Sequence, residues 1–189
     1  MRKITLVLAA MVATASALTA QQRRPIAEIR PFVGASIPTG DQRDLFTDAP
    51  LFGLQAAVQM KPNFHLVGAL TWVPSEEKYQ FARDNVHILQ YDLGAELSFI
   101  RPFGGGWQMR PFVGIGGGAR TYLYQAATLS DKTCALFYGA LGTELQLGRT
   151  ALRLEARDNV FCYKSPVAGV ESQTRNDVGI ALGVSYHFR

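Results

Sequence analysis

Three groupings of residues in this 189-residue sequence have the types and spacing to do chemistry. Residues 114–120, GIGGGAR, fit G-x-G-x-x-[GA] over their first six positions, the loop that cradles a dinucleotide pyrophosphate. That chemistry needs a strand before the loop, a helix opening on it and an acid about 20 residues further on. Ser185 and His187 stand two apart, which puts a hydroxyl nucleophile and an imidazole base on one face of a strand. Cys134 and Cys162 are the two cysteines and could bridge. His65 and His87 have no His, Cys or carboxylate cluster at ligand spacing, so the sequence points to no metal and no cofactor.

The elements that would position these groups are strands. In LQYDLGAELSF, 89–99, one face carries Leu89, Tyr91, Leu93, Ala95, Leu97 and Phe99, and the other Gln90, Asp92, Gly94, Glu96 and Ser98. A helix would scatter the acids, whereas a strand gathers them on one side. The same period of two recurs near 27–37, 52–60, 64–73, 108–124, 136–147, 151–161 and 177–188, for eight strands in all. Pro31 and Pro111 lack backbone donors and are expected near strand ends or bulges. Connections alternate in length: short ones at 61–63, 101–107 and 148–150, and longer polar ones at 38–50, 74–85, 125–133 and 163–176. This describes an all-β, up-and-down antiparallel meander whose two ends face different surroundings. RPFVG occurs at 30–34 and again at 110–114, an echo that either duplication or convergent strand composition explains.

A soluble barrel hides apolar side chains, but here the charges share the faces with the small residues. Glu28, Arg30, Asp92, Glu96, Arg110, Arg120, Glu144, Arg153, Glu155, Arg157 and Asp177 fall on one set of faces, and the opposite faces are nearly free of charge. An apolar belt around a polar interior is the pattern of a transmembrane β-barrel, whose closure satisfies the backbone groups that hydrocarbon cannot. With eight strands the interior is just filled by side chains. Gly114, Gly116 and Gly118 then point inward and make room for Arg110, Arg120 and Tyr138, with no helix to complete a nucleotide loop. Six inward acids against five inward arginines favour mutual pairing into a plug over a conducting lumen. Phe64, Trp72, Phe99, Trp107, Phe137, Tyr163, Tyr186 and Phe188, near strand ends, could form interfacial girdles.

Arg2 and Lys3, the apolar run 4–12 and small residues ending at Ala17 or Ala20 read as a cleaved export signal over residues 1–20, leaving one domain at 21–189. Without Arg2 and Lys3 the chain carries 17 Lys+Arg against 15 Asp+Glu, a net charge of +2, too small and too dispersed for a nucleic-acid partner. In an exported chain the cysteines are expected to form a disulfide, with unbonded thiols as the alternative. Inward Glu144 facing inward Arg153 is out of step by one with Cys134 facing Cys162, so a bulge must intervene, and Asp158 could mark it.

With these strands and the ending VGIALGVSYHFR, the mature chain resembles the small outer-membrane β-barrel superfamily, the OmpA-like and OmpX-like barrels. The resemblance implies a last strand read by the barrel-assembly machinery through Tyr186 and Phe188, although the usual terminal aromatic is here followed by Arg189. It also implies short turns in the periplasm and long loops at the cell surface. The expected function is therefore a non-enzymatic, monomeric outer-membrane barrel in contact with membrane lipid and lipopolysaccharide, structural or interacting through its loops. One alternative is a lipid-modifying enzyme resembling the lipid A deacylases, with histidine, serine and an acid on the lipid-facing surface. Ser185 and His187 face inward at the short-turn end, against that alternative. The other is a soluble exported ligand-binding barrel.

Overall fold

Every stretch in which apolar and polar residues alternate forms a strand. The computed structural model describes residues 27–44, 46–78, 83–124, 131–163 and 173–188. The segment read as an export signal and most of the connections 125–133 and 163–176 lie outside the described residues. The strands are β1 (Ala27–Pro38), β2 (Ala49–Lys61), β3 (Phe64–Lys78), β4 (Arg83–Ser98), β5 (Arg101–Gly104), β6 (Trp107–Tyr124), β7 (Lys132–Leu147), β8 (Thr150–Tyr163) and β9 (Gln173–Phe188). All pairings are antiparallel, β4 pairs with β6, and β1 pairs with β9 to close the ring. β5 is not a separate stave: Ser98↔Phe112 and Arg101↔Met109 keep one register, so β5 prolongs β4 and the barrel has eight staves.

The break between β4 and β5 has a local cause. Phe99 N–H donates to Pro111 O at 2.9 Å, and Pro111 has no N–H to return. Pro31 acts in the same way. Between Ile29↔Tyr186 and Phe32↔Gly183 the β1–β9 ladder skips Arg30 and Pro31 without changing register. Both prolines thus stand inside long strands rather than at the ends or bulges expected of them, each at a lapse in one ladder. The two RPFVG segments are equivalent in more than sequence: Arg30 and Arg110 are buried inside, and Val33 and Val113 are both 54% exposed outside.

Turns of two residues, 62–63, 105–106 and 148–149, close one end. Gly105 and Gly106, at φ 58° and 82°, supply the two positive φ values of a tight hairpin. At the other end, β3 and β4 stay paired out to Lys78↔Arg83. The connection expected at 74–85 is therefore mostly strand, because pairing needs only backbone groups and beyond an apolar belt the side chains are free to be polar.

The interior has two layers, of which the sequence reading foresaw one. Toward the short turns it is polar and charged. Toward the long connections Leu51, Val73, Val86, Ile88, Tyr122, Leu136, Phe161 and Tyr163 form an apolar cluster with Phe46 at its centre. Phe46 belongs to the β1–β2 connection, which turns through a short 3-10 segment (Gly40–Gln42) and holds Phe46 by its N–H to Gln42 O at 3.0 Å. Its ring lies 5.9 Å from Tyr122 and 6.0 Å from Tyr163, and the residue is 2% exposed. A loop side chain thus plugs that end of the barrel.

The cysteine expectation is corrected. No disulfide joins Cys134 and Cys162. The β7–β8 register runs unbroken from Leu136↔Phe161 to Leu147↔Thr150, so no bulge shifts the parity. Cys134 is buried inside, whereas Cys162, between inward Phe161 and Tyr163, faces outward; two thiols on opposite faces of a sheet cannot meet. Asp158 marks no irregularity and is an exposed outward residue in register with Gly139. Alkylation of the unfolded chain without reductant is expected to modify both thiols, and gel mobility should not change on reduction; a reduction-sensitive shift of the monomer would contradict this register.

Candidate functional site

The inward positions of eight staves converge on the barrel axis, where the eleven charged residues singled out from the sequence are all buried and all ion-paired. Arg153 is the hub toward the short turns. Its guanidinium donates to Glu96 at 2.7 Å, Glu144 at 2.8 Å and Glu155 at 2.7 Å, and lies 3.5 Å from the centre of the Phe112 ring. Arg30 donates to Glu28 through Nε at 2.9 Å and to Glu96 at 3.2 Å. Arg110 reaches Glu28 at 3.4 Å and Glu144 at 3.5 Å. One flat cation with five N–H groups can thus serve two or three carboxylates, which a lysine could not do in the same space.

A second tier lies nearer the plug. Arg157 donates to Asp92 and Glu155, both at 3.0 Å, and stacks 4.0 Å from the Tyr138 ring centre. Arg120 pairs with Asp177 and donates to Gln90 Oε1 at 2.8 Å, while Asn159 donates to Asp177 at 2.9 Å. Arg120 also lies 4.0 Å from the Phe161 ring centre. Gln90, Asn159 and the platforms Phe112 and Phe161 escaped the sequence reading. Their signal was present, since Gln90, Asn159 and Phe112 each stand two residues from an inward charged neighbour on the same strand face, and Phe161 stands two beyond Asn159 on that face.

Gly116 has the role expected of it. A Cβ there would lie 2.5 Å from the Tyr138 ring and 2.5 Å from Leu93 O, so its absence seats the tyrosine under Arg157. Residues 114–120 lie within β6, and no helix follows the glycines. The loop chemistry of a nucleotide site is not available to them.

Ser185 and His187 are also inside, 0% and 3% exposed. The Ser185 hydroxyl donates to Glu144 at 3.3 Å and His187 Nδ1 lies 3.1 Å from Glu28, so both serve the lattice and do not address each other. Glu28, Glu144 and His187 offer atoms within 4.8 Å of one another. As a donor set for a metal ion they fit poorly, because Arg30 and Arg110 already face both carboxylates. His65, also inward, sits with Nε2 3.1 Å from an Arg110 nitrogen.

Between lattice and plug is a cavity of about 30 Å³ bordered by Thr71, Gln90, Arg120 and Asn159, room for little more than a water. A larger recess, about 490 Å³, opens on the outside at the long-loop end. It is lined by Asp48, Glu76, Asn85 and His87, so His87 does have acidic neighbours that the sequence reading did not find. The ring of His87 lies 5.7 Å from that of Trp72.

The outer surface is the inverse of the interior. Ile115 is 72% exposed, Phe137 68%, Leu141 63% and Leu93 58%. Tyr186 and Phe188 are exposed on the outward face of β9 with rings 4.9 Å apart.

No family model and no curated protein matches the chain. Solved structures do. Neisserial surface protein A aligns with a TM-score of 0.63 at 11% identity, covering 87% of this chain and 97% of that one. OprG from Pseudomonas aeruginosa aligns with a TM-score of 0.58 at 16% identity, covering 87% and 96%. Ail of Yersinia pestis, in complex with the heparin analogue sucrose octasulfate, aligns with a TM-score of 0.52 at 10% identity, covering 88% and 100%. In strand number, antiparallel pairing and closure, the chain has the fold of the small eight-stranded outer-membrane β-barrels.

Proposed function

We propose that the chain is a non-enzymatic integral outer-membrane protein with a sealed lumen, anchored by its belt and acting through the end that carries the long connections. The observation that carries this reading is the inversion of polarity: ionised side chains are buried around the axis while the apolar residues are exposed on the outside. Water would penalise such a surface, and hydrocarbon would reward it. A soluble ligand-binding barrel would need the opposite arrangement and an empty centre. The charge lattice and the Phe46 plug support a lumen closed to ions.

Lipid and lipopolysaccharide are the surroundings this belt fits, and Tyr186 and Phe188 on the last strand fit a signal for barrel assembly. The export signal at 1–20 supplies the route. A lipid-modifying enzyme would need a nucleophile beside His87 on the outer face. Ser75, which borders that recess, is buried and turns its hydroxyl to Thr47 O at 3.5 Å. Spin labels test the reading on the refolded chain in bilayers. Labels at Leu93 and Leu182 are expected to be quenched by oxygen dissolved in hydrocarbon, and labels at Arg149 and Asp131 by a water-soluble nickel chelate. Aqueous quenching at Leu93 and Leu182 would refute it.

A further inference from the structure

The two ends of the barrel differ in charge as well as in length of connection. Among the described residues, the short-turn end carries three exposed bases: Lys61 at the end of β2, Arg101 at the start of β5, and Arg149 between β7 and β8. Among the described residues no acid is exposed at that end. The exposed acids Asp44, Asp48, Asp131 and Asp158 all belong to the long-connection end or the strand segments beside it, where they share the surface with Arg43, Lys78, Lys132 and Arg175. Among the described residues, the bases of the short-turn rim therefore have no exposed carboxylate side chain near them to neutralise them.

Their setting gives them a partner. Directly along the strands from these bases stand the exposed apolar residues Met60, Phe99, Trp107 and Leu147, the edge of the belt. A lysine or arginine at such an edge lays its methylene stem along hydrocarbon and its charged head at the depth of lipid phosphates. The rim is also interrupted by none of the long connections, so a headgroup can approach each base from the side.

We propose that the short-turn rim is a binding surface for anionic phospholipid headgroups, one phosphate to each of Lys61, Arg101 and Arg149. It rests on the membrane reading above and adds a lipid class and an end. The rim selects the phosphate-bearing anionic lipid of the leaflet it faces, and so fixes the height and tilt of the barrel.

The test uses the full refolded chain in detergent micelles, titrated with phosphatidylglycerol or phosphatidylcholine and read by native mass spectrometry. Phosphatidylglycerol is expected to be retained in preference to phosphatidylcholine. Its apparent affinity should fall roughly fivefold for each base replaced, on the order of a hundredfold for K61Q/R101Q/R149Q. The matched variant R43Q/K78Q/R175Q at the other end should keep the preference. Equal retention of the two lipids by the unaltered chain overturns the proposal, and leaves the membrane reading to the spin labels. So does a preference that survives K61Q/R101Q/R149Q or disappears in the control. Displacement of the lipid by millimolar inorganic phosphate would assign the rim to soluble anions and overturn it too.

Discussion

Replacing Arg153 by methionine is expected to destabilise the folded barrel by about 3–5 kcal/mol. The guanidinium is the shared donor for Glu96, Glu144 and Glu155, and all four groups are buried. Methionine preserves much of the volume and the contact with Phe112, so the loss is electrostatic rather than a cavity. Three carboxylates would keep their desolvation cost and lose their principal counter-charge. Urea unfolding in lipid vesicles, followed by the shift in gel mobility between folded and unfolded forms, measures the change. R153M combined with E96Q and E144Q should recover part of it, because fewer charges are then stranded. Arg149→Met, at an exposed turn, should stay within about 0.5 kcal/mol of the original. A loss below about 1 kcal/mol for R153M would mean that the lattice is hydrated and not the close-packed plug described above.

Gly118→Val is expected to prevent formation of the closed barrel, with a cost of about 3 kcal/mol or more. A Cβ at this position would press on backbone, meeting Tyr91 O and lying 2.6 Å from Asp92 Cα. Side chains can rotate away, but the adjoining stave cannot move without breaking the β4–β6 ladder, and Asp92 holds Arg157 from the same stave. Gly139→Val is the control, since a Cβ there meets nothing within 4 Å. The folded fraction after refolding into vesicles should collapse for G118V and stay near that of the unaltered chain for G139V. Equal folding of the two would show that the close approach of β4 to β6 does not require a glycine at position 118.

Those glycines show where reading a sequence succeeds and where it needs the third dimension. GIGGGAR has two readings as a string, and its strand context in β6 selects the one in which missing side chains make space. Alternation is a local property, so the faces of β4 and β8, the acids and arginines on them, and the short turns could be read residue by residue. The lapses at Pro31 and Pro111 could not, since a proline's missing donor matters only on the side where a neighbour sits, and that depends on register.

The sequence alone determined the eight staves, their inward and outward faces, the charge inventory of the interior and the inversion of polarity that marks a membrane barrel. Side-chain period and residue chemistry suffice for all of these. Only the closed structure decided which arginine meets which carboxylates, because strand tilt and stagger set the height of each inward residue. It also decided that Phe46 folds back to seal one end, a contact between residues distant in the chain that no periodicity announces. And it placed Cys134 and Cys162 on opposite faces, since a ladder advances in steps of one residue while its faces alternate in steps of two.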